Sequence, residues 1–303
     1  MALLHPSAAA PPVERAAPPA RAAAPAPPVR PAQAERARAL RDALGTFGRV
    51  LVGYSGGVDS TYLAAAALDA LGPSRAVAVI GRSPSLPADQ LEAARAVAAS
   101  LGLPLEEVDT RELDDPEYAA NPTTRCYYCK RELWRRLAPV AAARGMTVVD
   151  GTNADDLADH RPGARAAAEY GVRSPLADAA LTKADVRALS AARGLPTWSQ
   201  PSAPCLASRL PYGTAVTPER LRQVERAERA LRAAGVTGDL RVRHHGDLAR
   251  VELAPDVLEA WLAPAARARL AAAVRGAGYA RVAVDLRGFR SGSLNVLGGV
   301  RDA

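Results

Sequence analysis

The chain has 303 residues, 49% of them hydrophobic and 23% charged, with a formal net charge of +7. That is the composition of a soluble globular protein, and no uncharged apolar run approaches the roughly 20 residues of a membrane span, which excludes a transmembrane protein. The opening MALLHPSAAAPP has no basic start before an apolar core, so no secretory signal is expected.

Residues 1–33 form an Ala/Pro/Arg tract with Pro25, Pro27, Pro28 and Pro31 closely spaced, expected as a disordered tail. A short helix, Gln33 to Leu44, precedes an alternation of strand and helix patterns. RVLVGY reads as a buried strand, Asp59 to Leu71 as a helix, RAVAVI as a strand, Pro87 to Leu101 as a helix stopped by Gly102, and LPLEEVD as a third strand. A cysteine loop follows, then a helix from Tyr128 to Arg144 broken or kinked at Pro139. MTVVDG is a fourth strand, followed by a helix near Gly163 to Tyr170 and a short edge at Val172 to Leu176. The helix Thr182 to Arg193 opens on a capping box of Thr182 and Asp185. The alternation indicates an α/β doubly wound parallel sheet over residues 34–212.

The pattern changes over residues 213–303. Thr217-Pro218-Glu219 opens a helix whose Leu221, Val224, Ala227 and Leu231 form one apolar stripe. LRVRHHGDLARVEL reads as a hairpin turning at Gly246-Asp247, followed by a helix from Pro255 to about Arg275 and the strand ARVAVDL. This set is a small α+β domain expected to serve substrate binding and oligomerisation.

Lys130 and Lys183 are the only lysines, and the positive charge is arginine scattered among Ala-rich helices. Without a basic block the charge gives little support for a nucleic-acid partner.

GYSGGVDST, Gly53 to Thr61, falls where the first strand gives way to a helix. Gly53, Ser55, Gly56 and Gly57 would let the backbone approach an anion, and the amides opening the helix point at negative charge. Ser55 and Ser60 add hydroxyl donors, and Asp59 is placed to hold Mg²⁺. No lysine follows, and GxGxxG spacing is absent, so neither the Walker loop nor the dinucleotide fingerprint applies. The segment resembles the SGGxDS loop of the PP-loop ATP pyrophosphatases, which implies ATP cleaved between its α and β phosphates. Ile80-Gly81-Arg82-Ser83 and Gly151-Thr152-Asn153-Ala154-Asp155 follow later strands. Gly81 and Arg82 would face adenine, while Gly151, Asn153 and Asp155 would close the site.

Cys126 and Cys129 form a C-x2-C pair, and Cys205 lies in PCLASRLPYG. An odd count argues against a disulfide framework and for a reducing cytoplasm. Three thiolates can hold a 4Fe–4S cluster with one iron open, and a zinc site completed by His160 or three unrelated buried thiols are the alternatives.

SGGVDS, NPTTRCYYCK, DGTNADD, LTKADVRALSAARGLPTWSQPSAPCLASRLPYG and GFRSGSLN together resemble the LarE-type ATP-dependent sulfur transferases, from about Gln33 to the C-terminus. The resemblance implies adenylation of the carboxylates of pyridinium-3,5-biscarboxylic acid mononucleotide and their conversion to thiocarboxylates for the nickel-pincer cofactor of lactate racemase. It implies that Cys205 is either a sacrificial sulfur donor, left as dehydroalanine, or a cluster ligand with Cys126 and Cys129, as in a three-cysteine branch. It also implies Arg241, Arg243 and Arg290 as phosphate-binding arginines, with Ser208 and Arg209 orienting substrate. A homo-oligomer and a sulfur-donor system are the expected partners. A tRNA thiolase with a cluster, an ammonia-using amide synthetase with zinc and a nucleotide-binding sensor are the competing readings.

Overall fold

The computed structural model describes residues 5–6, 28–157, 162–201 and 203–290. The expected tail therefore lies almost wholly outside the described residues, as do His160 and the GFRSGSLN motif from Ser291 onward. By contacts the chain divides into two units. One comprises Met1–Ser83, Ala88–Thr110 and Cys129–Ser202, the other Pro84–Pro87, Arg111–Tyr128 and Ala203–Ala303.

The first unit is built on a sheet in the order β1-β4-β3-β2-β5. Strands β2 (Val50–Gly53), β3 (Ala76–Arg82), β4 (Leu105–Asp109) and β5 (Thr147–Val149) run parallel, and β1 (His5–Pro6) pairs antiparallel with β4. The chain runs outward from β2 through β3 to β4, then returns to β5 on the other flank of β2. The order thus reverses beside β2, and ligands of open α/β sheets bind at the carboxyl ends of the strands at such a switch. Helix α1 (Pro31–Phe47) leads into β2, α2 (Val58–Leu71) follows it and α3 (Ala88–Ser100) follows β3. Val58, Thr61, Tyr62, Leu63, Ala64, Ala65 and Ala67 of α2 are all buried. That all-round burial is why the helix is rich in alanine.

Helix α4 (Pro116–Ala119) is a single turn, and α5 (Arg125–Ala143) passes unbroken through Pro139. The cysteine pair is therefore not in a loop: Cys126 and Cys129 sit in the first turns of α5. After β5 come α6 (Pro162–Glu169), α7 (Pro175–Asp178) and α8 (Lys183–Ala192). The expected edge at Val172 to Leu176 shrinks to one bridge, Val149 to Arg173, because Pro175 starts α7. The capping box on α8 is present, with Thr182 and Asp185 bonded reciprocally.

In the second unit, α9 (Pro218–Ala233) buries Leu221, Val224, Ala227 and Leu231, the stripe read from the sequence. Strands β6 (Leu240–His245) and β7 (Leu248–Leu253) form the hairpin around Gly246, and β8 (Arg281–Val284) pairs parallel with β7. The single helix expected from Pro255 is two, α10 (Pro255–Leu262) and α11 (Pro264–Gly276). Ala263 is extended (φ −58°, ψ 144°), as the residue before a proline prefers. Leu240, Val242, Ala249 and Val251 pack with Leu231, Trp261, Leu270 and Val274 as one core.

This second unit starts at Ala203 rather than 213, and it also takes in residues 84–87 and 111–128. Hydrogen bonds explain the difference. The Leu206 amide donates to the Ser85 carbonyl at 2.7 Å, and Asn121 Nδ2 reaches the Pro211 and Thr214 carbonyls at 2.8 and 2.9 Å.

Candidate active site

The phosphate loop leaves β2 at Gly53 and enters α2 through Gly57, whose extended backbone (φ −82°, ψ 171°) caps that helix. Gly56 takes φ +72°, and a Cβ there would stand 2.5 Å from the Ala94 methyl. Only glycine meets both demands. Ser60 is buried and ties the loop: it accepts from the Ser55 amide at 3.2 Å, lies 3.1 Å from the Ser55 hydroxyl and donates to the Gly57 carbonyl at 3.2 Å. A Cβ on Gly151 would be 2.9 Å from the Ser60 nitrogen, so the turn after β5 presses on the start of α2. The two segments singled out in the sequence thus meet at the switch in strand order.

Asp59 stands in the first turn of α2. Its Oδ1 accepts from Asn153 Nδ2 at 3.4 Å and its Oδ2 from the Lys183 ammonium. The Lys183 amide donates to Asp155 Oδ2 at 2.8 Å, and Asn153 Oδ1 accepts from the Asp155 amide at 3.0 Å. Asp150 supports the turn by accepting from Thr152 and from Ser174 Oγ at 2.8 Å. Asp59 offers hard carboxylate oxygen in the first turn of α2, the ligand type that Mg²⁺ takes together with substrate phosphates.

Lys183 was not singled out by motif. The scarcity of lysine in an arginine-rich chain is the signal that could have found it. Gly81 and Arg82 have local roles. A Cβ on Gly81 would press on Leu133 and Thr110 at 3.2 Å, while Arg82 forks onto Asp109 at 2.8 Å.

In the second unit, Cys205 precedes the short turn Leu206–Arg209. Its carbonyl accepts from the Ser208 amide at 3.0 Å and from Arg209 Nη1 at 2.9 Å. Arg209 is buried and forks onto Glu228 at 3.0 and 3.1 Å. Arg243 forks onto the fully buried Glu252 at 3.0 and 2.7 Å and donates to the Ser208 carbonyl at 3.0 Å. Arg241 lies with its guanidinium 4.9 Å from the Phe289 ring centre. Burial, helped by Arg209 and Arg243, lowers its pKa to about 10. Ser208, Arg209, Arg241 and Arg243 are thus brought together, Arg209 and Arg243 each on a carboxylate. Arg290 is exposed where the described residues end.

Glu228 is the acid that the sequence reading missed. Its position between Val224 and Leu231 at the edge of the apolar stripe is the available clue. His244 Nδ1 lies 3.1 Å from the Tyr279 hydroxyl in the core, which accounts for that histidine.

Cys126 is exposed and Cys129 and Cys205 are half-buried. Cys126 and Cys129 lie one turn apart on the same side of α5. Beside Cys126, Arg125 is buried, donates to Asn121 Oδ1 at 2.5 Å and to the Ala207 carbonyl at 3.1 Å, and lies over the Tyr212 ring. Burial disfavours its charge, but Cys205, Cys126, Tyr118 and Tyr212 outweigh that and hold its pKa above the ordinary arginine value. A buried cation thus stands near two of the three thiols. Thiol chemistry suits a soft metal centre, yet among the described residues no group of three or more His, Cys, Asp or Glu is placed to hold a metal ion.

A family model described as NAD synthase matches residues 35–121, the part that carries the phosphate loop. The chain is 36% identical over 263 residues to the pyridinium-3,5-bisthiocarboxylic acid mononucleotide synthase of Lactiplantibacillus plantarum, covering 86% of this chain and 94% of that one. It is 46% identical over 257 residues to the uncharacterized protein slr1717 of Synechocystis, covering 84% and 95%. It is also 30% identical over 210 residues to the uncharacterized protein MJ0830 of Methanocaldococcus jannaschii, covering 69% and 79%.

Proposed function

Because the chain belongs to the LarE family of ATP-using sulfur transferases, with a PP-loop domain, we propose that it converts the carboxylates of pyridinium-3,5-biscarboxylic acid mononucleotide to thiocarboxylates. The observation that carries this reading is the near full-length match to the named synthase, in a chain whose own sequence has an SGGVDS loop and a cysteine at 205.

Gly53, Ser55, Gly56, Gly57 and Ser60 receive the pyrophosphate end of ATP through loop amides and hydroxyls. Gly81 and Arg82 border the adenine, and Gly151, Asn153 and Asp155 close over the nucleotide. Asp59 would hold Mg²⁺, which would supply charge neutralisation to the phosphates. A substrate carboxylate oxygen attacks the α-phosphorus, the bond to the bridging oxygen breaks and pyrophosphate leaves. Sulfur then attacks the acyl carbon, and the tetrahedral oxyanion collapses with loss of AMP. Arg241, Arg243 and Arg290 hold the substrate phosphate, with Ser208 and Arg209 beside Cys205 to orient it.

Cys205 is the position that brings the sulfur. If its own sulfur is transferred, cleavage of the Cβ–Sγ bond with loss of the α-proton leaves dehydroalanine. The cysteine count and spacing alternatively support a 4Fe–4S cluster on Cys126, Cys129 and Cys205. Intact mass after one turnover separates the two. Loss of the mass of hydrogen sulfide at Cys205 means sacrifice, whereas unchanged mass with thiolated product, iron and labile sulfide means a cluster. Wild-type protein that releases no pyrophosphate when given ATP, Mg²⁺ and the biscarboxylate overturns the proposal. The cytoplasm, a homo-oligomer and an external sulfur donor complete it.

A further inference from the structure

Asp59 is held by two partners of different character. Asn153, 2% exposed, fixes one oxygen, while Lys183 brings a full charge to the other from a side chain that is 34% exposed. Lys183 is the first residue of α8, and its amide is anchored on Asp155, so the main chain is fixed while the ammonium borders solvent.

The residue type is informative. Two lysines stand against thirty-seven arginines in this chain. A guanidinium is a planar fork that would take both Asp59 oxygens and stay there. An ammonium is one compact centre with three donors, able to turn from a carboxylate to a neighbouring oxyanion while keeping part of its bonding. At a corner that must accept a metal ion and then release a charged product, exchange is worth more than a permanent pair.

We infer that Lys183 is the exchangeable counter-cation of Asp59. Without nucleotide it neutralises the carboxylate, and when Mg²⁺-nucleotide arrives it cedes Asp59 to the metal and moves to a phosphate oxygen. Lys183 is thus a positioning residue that competes with the metal and then assists the same nucleotide. The inference rests on Asp59 as the magnesium ligand.

The test uses Mn²⁺ in place of Mg²⁺, with binding read by electron paramagnetic resonance on nucleotide-free full-length protein. Removing the competing charge in Lys183→Met or Lys183→Gln is expected to tighten Mn²⁺ roughly fivefold. Asp59→Asn is expected to lose that site, and circular dichroism melts verify that each variant is folded. Lys183→Arg keeps the charge but loses the exchange, so it is expected to bind Mn²⁺ no more tightly than wild type. Its kcat for substrate-dependent pyrophosphate release should fall about tenfold with little change in substrate KM.

Mn²⁺ affinity that is equal or weaker in both neutral variants overturns the inference, as does Lys183→Arg turning over like wild type. An Asp59→Asn variant that binds Mn²⁺ like wild type overturns it too. The manganese measurements need no pyridinium substrate, so failure of the sulfur-transfer reading would appear separately, as wild-type protein that releases no pyrophosphate.

Discussion

Gly53 lies against the six-membered ring of Trp134 so closely that a Cβ on the glycine would stand 2.6 Å from Cη2 and 3.0 Å from Cζ3. The indole is buried at 1% exposure and cannot swing aside. Gly53→Ala is therefore expected to cost about 1–3 kcal/mol and to weaken ATP binding by shifting the loop. Trp134→Phe shortens the ring at the point of contact, so Gly53→Ala/Trp134→Phe should recover much of the stability. Thermal melts and ATP titrations of the two single variants and the pair check this, and additive losses would refute it.

Two other glycines of the same corner are expected to behave oppositely. A Cβ on Gly151 would sit 2.9 Å from the Ser60 nitrogen, which is backbone and cannot yield. On Gly57 it would meet only Ser55 Oγ at 3.4 Å, in an extended conformation open to any residue. Gly151→Ala should lower ATP affinity by about tenfold or more, a loss of roughly 1.4 kcal/mol, while Gly57→Ala should fold normally and lose less than that. Equal losses in the two variants would show that the Ser60 contact is not what requires glycine at 151.

Asp185 ties α1 to α8. It is 1% exposed and accepts from Arg30, Gln33 and Arg36, as well as from the Thr182 amide. Burial alone would raise its pKa, but hydrogen bonds from Gln33, Thr182 and Arg36 bring it down to about 2. A carboxylate depressed below its unfolded value of 3.8 stabilises the fold above that value and loses the effect as pH falls toward 2. That contribution is about 2 kcal/mol. Urea midpoints should fall more steeply between ~pH 4 and ~pH 2 for wild type than for Asp185→Asn. Parallel slopes would exclude Asp185 as the titrating group.

The phosphate loop is legible in the sequence because small residues there serve the backbone, and strand, glycines, acid and helix follow one another without tertiary help. The α9 stripe is equally open, since four apolar residues at helical spacing have one way to be buried. The cysteine pair is not. CYYC has no apolar period, and its helix begins where Arg125 is pinned by Asn121 and by the distant Ala207 carbonyl, contacts that no local pattern announces. The same holds for Lys183 and Glu228, whose roles depend on Asp59 and Arg209. The break at Pro264 was readable, because a proline opening a second helix forces the preceding residue out of helical geometry.

Arg209 joins the segment carrying Cys205 to α9, and this pair sets the last expectation. Its guanidinium is 4% exposed, forks onto Glu228 and reaches the Pro204 and Cys205 carbonyls. Glu228 in turn accepts from the Val242 amide at 3.0 Å. Arg209→Met takes the guanidinium from that acid and from both carbonyls and is expected to cost about 3–5 kcal/mol. Arg209→Lys keeps the charge but not the fork, so it should fold more stably than Arg209→Met yet hold Cys205 loosely. Thiolated product should then fall further in Arg209→Lys than substrate-dependent pyrophosphate release does, because the release also draws on the phosphate loop. If both steps fall together, Arg209 acts on adenylation or on the whole fold rather than on the sulfur-bearing segment.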